Sequence, residues 1–140
     1  MVLIAPAIAT RTFARAVVYL PLPGSVILGS WNHPDYRANP GTSIGAYRAM
    51  FRVMGEFRSS DPRGIDVPTL VFLNRDDELV NDQKIATWIA RSSLRHWQVV
   101  AVPGLRPSIH PSYRHLMVDE PSMGREAWEL LSTRLREFFR

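Results

Sequence analysis

Four residues of this chain have the types and positions for proton-transfer chemistry. Asp76 and Asp77 close the apolar run of "VPTLVFLNRDDELVND" (Val67 to Asp82), and His110 and His115 follow a second apolar run, "WQVVAVP" (Trp97 to Pro103). A neutral imidazole titrating near ~6.5 can take a proton from a hydroxyl and return it to a leaving group. A carboxylate beside the ring fixes its tautomer and stabilises the imidazolium. Such a pair is idle without a nucleophile, and Ser43 stands between glycines in "GTSIG" (Gly41 to Gly45). Each residue also has a plainer reading: the aspartates as turn residues ahead of a helix, His115 as a partly buried structural histidine.

An acid and a histidine so placed need elements that bring their loops together. "VPTLVFL" is the kind of continuous apolar strand that is buried on both faces of a parallel sheet. Asn81 to Ser92 opens on a capping residue and puts Ile85, Trp88 and Ile89 on one helical face. Trp97 to Pro103 is a second strand, and a loop runs on to about Pro121. The last helix carries Ala127, Leu130, Leu131, Leu135, Phe138 and Phe139 as one apolar stripe. Strand, helix, strand, loop, helix implies a parallel crossover in an α/β sheet, where sites lie beyond the carboxyl ends of the strands. Ahead of it, "VLIAP" (Val2 to Pro6) reads as a short buried strand ended by Pro6. Between them the chain is rich in Pro, Gly and Asn, with a helix over Ala46 to Phe57 carrying Tyr47, Met50, Phe51 and Met54 at spacings of three and four. These apolar residues suit a cap over a site or plain core filling. There is no internal repeat.

The bulk properties narrow the classes. With 140 residues, 46% hydrophobic and 21% charged, the chain suits one globular domain. It has no cysteine, which excludes disulfides and thiolate metal sites. A net charge of +4 could attract a polyanion. However, the arginines are scattered from Arg11 to Arg140, Lys84 is the only lysine, and no nucleic-acid recognition motif accompanies them. Nucleic acid is therefore not an expected partner. "MVLIAPAIATR" has no basic residue ahead of its apolar stretch, as a signal peptide would, and no apolar run approaches the ~20 residues of a membrane helix. The chain reads as soluble, and a cytoplasmic location is expected, although a cysteine-free chain suits either redox compartment.

In this arrangement the chain resembles the C-terminal half of an α/β-hydrolase, of the lid-bearing lysophospholipase, monoacylglycerol lipase and serine aminopeptidase type. The resemblance runs through essentially all 140 residues. "VLIAPAI" looks like the strand after the nucleophile helix, giving a core strand over residues 1–6. Residues 7–66 look like the lid insertion, with "YRAMFRVM" as its exit helix. Residues 67–140 look like the hydrolase core: "IDVPTLVFLNRDDELV" resembles the acid strand and loop, and "RHLMVDEPSMGREAWELLSTRLREFF" the histidine loop and last helix. The resemblance implies an α/β fold, Asp77 as the orienting acid with Asp76 as its solvated neighbour, and His115 as the general base. Asn74 stands where the family has glycine. His110, between prolines in "SIHPS", is the weaker candidate. The implied substrates are carboxylic esters of small molecules or lipids such as acylglycerols or lysophospholipids, with no cofactor and no metal.

The family's nucleophile sits in Gly-x-Ser-x-Gly on a sharp strand-to-helix turn, and "GTSIG" matches that string in the right order. The context does not match. An elbow needs a buried strand before it, and "PDYRANP" is polar and broken by Pro34 and Pro40. Ser43 to Asp77 also leaves room for about one helix where the fold needs more. Ser43 is accordingly expected to be no nucleophile, and the serine is expected to lie upstream of Met1. An open sheet edge along Val2 to Pro6 would follow, prone to self-association. Two other readings stay open. One is a non-catalytic α/β module, either a degenerate hydrolase or a partner-binding subunit. The other takes His110, His115 and Asp119 as metal ligands.

Overall fold

A computed structural model describes residues 1–30, 34–36, 39–103 and 114–140. Its centre is a three-stranded parallel sheet in which the strand at Thr69–Asn74 lies between those at Val2–Ile4 and Trp97–Val102. The strands are β1 (Val2–Ile4), β4 (Thr69–Asn74) and β5 (Trp97–Val102). Val2 to Ile4 pair with Leu70 to Phe72, and Thr69 to Asn74 pair with Trp97 to Val102. All six residues of β4 are buried, as its unbroken apolar run requires of a strand covered on both faces.

Alternation along β4 splits the core in two. Leu70 and Phe72 face a cluster with Val102, Met117, Met123, Ala127 and Leu131. The last two come from α5 (Arg125–Phe138). Val71 and Leu73 face the opposite cluster, with Val80, Ile85, Ile89, Leu94 and Trp97. Ile85 and Ile89 come from α3 (Asp82–Arg91), which connects β4 to β5. The Asn81 side chain caps α3 by accepting the Lys84 amide at 2.8 Å. The chain is therefore a mixed α/β structure with helices on both faces of a parallel sheet, as the strand-helix-strand pattern implies.

Several boundaries differ from the sequence reading, each for a local reason. β1 stops at Ile4 because Ala5 turns to φ 43°, one residue before Pro6. α5 is preceded by a separate turn, α4 (Glu120–Met123), and the two are split by Gly124 at φ 83°. That left-handed conformation suits glycine. Phe139 lies past the end of α5 and is 72% exposed, so the apolar stripe closes at Phe138.

The segment between β1 and β4 holds a small antiparallel pair, β2 (Ile27–Gly29) with β3 (Gly41–Ser43). Before it comes a four-residue helix, α1 (Thr12–Arg15). After it runs α2 (Ile44–Ser59), which begins two residues earlier than the periodicity suggests and leaves Met50 exposed. Residues 8 and 9 join the sheet core beside Val71 and Leu73. Among the described residues no helix is long and apolar enough to cross a membrane.

Candidate active site

The site is built where β4 and β5 end. Past Asn74 the chain turns so that the Asp77 amide donates to the Asn74 carbonyl at 3.2 Å. The Asp77 side chain turns back on its own backbone: Oδ1 accepts the amides of Leu79 and Val80, both at 2.7 Å. These bonds hold the carboxylate in one orientation and make its burial tolerable; the residue is 1% exposed. Its other oxygen, Oδ2, lies 2.9 Å from Nδ1 of His115. Asp76, the adjacent acid, is exposed.

His115 lies in the segment between β5 and the last helices. Two residues on, Met117 is buried in the cluster under α5 and pins the loop. The following turn is held by a capping box: the Asp119 carboxylate accepts the Ser122 amide at 2.9 Å, and Ser122 Oγ accepts the Asp119 amide at 3.1 Å. Asp119 also accepts the Tyr36 hydroxyl on both oxygens, at 3.1 and 3.0 Å. It is thus a cap and a tether. Among the described residues no group of acids and histidines could hold a metal ion, and His110 lies outside them.

The electrostatics of His115 are set by opposing influences. Burial disfavours its charged form, but the Asp77 hydrogen bond, the Asp77 charge and the Glu78 charge outweigh it, and its pKa is raised above the ordinary 6.5. The side chain keeps 28% of its surface exposed, and nothing described hydrogen-bonds its Nε2. With Nδ1–H donating to Asp77, Nε2 is left as a lone-pair base open to a reacting group.

Two residues to which the sequence reading gave no role in the site complete the frame. The Asn74 amide donates from Nδ2 to the Arg114 carbonyl at 2.9 Å, while its Oδ1 accepts the Asp76 amide at 3.1 Å. Arg11 donates from its guanidinium to the carbonyls of Asp77 and Arg75, and its own amide donates to the Leu79 carbonyl. Thr10 bridges to Val80 beside it. Arg11 gave no signal beyond one more scattered arginine. Asn74 did give one, a polar residue at the end of an unbroken apolar strand.

A second acid and histidine pair makes a useful contrast. Asp66 Oδ2 lies 3.0 Å from His96 Nδ1, and Asp66 Oδ1 accepts the His96 amide at 3.0 Å. The His96 amide chiefly holds the Asp66 carboxyl below its usual range. Both residues precede their strands, at the end of the sheet opposite Asp77 and His115, and the His96 side chain is 62% exposed. It is a clip between strand entrances.

Ser43 does not share the site's construction. It closes β3, whose partner is β2 and not the parallel sheet, and it sits in ordinary extended backbone at φ −71°, ψ 151°. Its Oγ accepts the Ala46 amide at 3.1 Å, which makes it the N-cap of α2. Both glycines of "GTSIG" have packing reasons. A Cβ on Gly41 would overlap the Leu28 carbonyl oxygen, and one on Gly45 would crowd Gly24. Ahead of Ser43, Pro34–Tyr36 is a 3-10 turn, and the strand that ends at Ser43 begins only at Gly41, a three-residue strand in a hairpin. No protein-family model, curated protein or solved structure matches the chain.

Proposed function

We propose that this chain carries the acid and the base of a serine hydrolase of the α/β-hydrolase type, acting on carboxylic esters of acylglycerol or lysophospholipid kind. The observation that supports it is the pair at the carboxyl end of the parallel sheet: a buried carboxylate, fixed by two backbone amides, 2.9 Å from a histidine whose other nitrogen is open. Asp77 orients His115 and stabilises its imidazolium, and His115 Nε2 takes the nucleophile's proton and returns it to the leaving alcohol. Ser43 is committed to capping α2, so the nucleophilic serine comes from outside these residues. Among the described residues β1 pairs with β4 alone, and its other side is the place for an elbow-bearing strand to join. Apart from residues 8–11, which pack on the sheet core and the acid loop, residues 7–66 serve as the lid and 67–140 as the catalytic core of such an enzyme.

The test is turnover of p-nitrophenyl butyrate by the chain expressed with whatever sequence precedes it in its gene. Wild type should hydrolyse the ester, and His115→Ala and Asp77→Asn should each lower the rate by about 10²–10⁴-fold. Hydrolysis unchanged in both variants, or no hydrolysis of any ester by that longer protein, would favour a non-catalytic α/β module.

A further inference from the structure

We propose that Asn74 is a positioning residue that sets the gap between the acid loop and the histidine loop. It rests on the reading of Asp77 and His115 as acid and base. Asn74 is 2% exposed, and three of its polar groups point into the site's frame. Its carbonyl accepts the Asp77 amide, its Oδ1 accepts the Asp76 amide, and its Nδ2 donates to the Arg114 carbonyl. The first two bonds shape the acid loop. The third crosses from β4 to the residue immediately before His115. One planar amide therefore spans both loops, and the orientation of its ends is fixed because neither can rotate without breaking a bond. The His115–Asp77 contact is 2.9 Å, so slippage of under an ångström between the loops takes it out of hydrogen-bond range. A glycine at this position could build the turn but not the bridge.

Asn74→Ser separates the two tasks. A serine hydroxyl can still accept the Asp76 amide as a turn residue does, but it is too short to reach Arg114. The reading is the His115 ring by ¹H–¹⁵N spectroscopy across pH, in wild type, Asn74→Ser, Asn74→Ala and Asp77→Asn. In both Asn74 variants the His115 pKa should fall below its wild-type value, with broadening or loss of the Nδ1–H signal. Asp77 and Glu78 are the charges acting on that ring. Folded Asn74 variants with the wild-type pKa and Nδ1–H signal would overturn the proposal. If neither variant folds, the wild-type protein still decides. Its Asn74 side-chain amide protons should exchange slowly, and exchange at the rate of an exposed amide would overturn the bridge. If Asp77→Asn leaves His115 unchanged, it is the acid and base reading that fails. If Asp77→Asn moves it and Asn74→Ser does not, only Asn74's role fails.

Discussion

Replacing Asp77 with asparagine keeps its shape and removes its charge, and the consequences can be worked through atom by atom. Oδ1 holds two amides at 2.7 Å, so the asparagine oxygen stays there and its NH₂ group turns to His115 Nδ1. That group donates where the carboxylate accepted. The neutral ring must then carry its proton on Nε2, the wrong tautomer for a base. Burial, which lowers the histidine's pKa, is then opposed only by Glu78, so the pKa falls. In wild type the pKa is raised above 6.5, so protonated His115 stabilises the fold fully below about 6.5, and this contribution fades as pH rises through the folded-state value. The variant loses it. A hydrogen bond to a charged partner is worth about 1.5–3 kcal/mol. For a chain of this size each kcal/mol moves the melting temperature by ~3 °C, so the loss should be roughly 5–9 °C at about pH 5.5. The drop should be smaller at about pH 8.5, where less of the wild-type ring is protonated. Thermal unfolding followed by circular dichroism at the two pH values measures it. Equal losses at both would refute the ion-pair reasoning.

Further expectations follow from the same contacts. His115→Ala leaves the Asp77 Oδ2 without its partner and should cost about 1–3 kcal/mol by urea unfolding, because a buried acceptor is stranded. Ser43→Ala should cost about 0.5–2 kcal/mol through loss of the α2 cap, while fluorophosphonate labelling stays unchanged; stoichiometric label on Ser43 would make it a nucleophile after all. Leu131→Ala, at the centre of the cluster under α5, should cost about 2–5 kcal/mol. Arg11→Ala removes the clamp on the Arg75 and Asp77 carbonyls, and hydrogen exchange at Leu79 and Val80 should speed up while α5 keeps its protection.

What the sequence disclosed and withheld has physical causes. β4 and α3 were legible because six consecutive buried residues and a capped helical face leave little else for the chain to do. That Asp77 and His115 would lie together was legible because strand order brings the ends of neighbouring parallel strands together. The hairpin of β2 and β3 was not, since three-residue strands in a Pro- and Gly-rich stretch carry no periodicity. "GTSIG" looked like an elbow because glycine is needed for close approach in both settings, and only the partner strand tells them apart. Arg11 was hidden because it binds backbone carbonyls, which no residue type announces. Phe139 looked like core because periodicity does not show where the last turn of a helix stops.

The most direct measurement is the tautomer and titration of the His115 ring in the wild-type protein, by long-range ¹H–¹⁵N correlation across pH. Protonation of Nδ1 and not Nε2 in the neutral form, with a pKa above 6.5, is the expected result for a histidine oriented by Asp77 to act as a base. A neutral ring protonated on Nε2, or a pKa at or below 6.5, would contradict it.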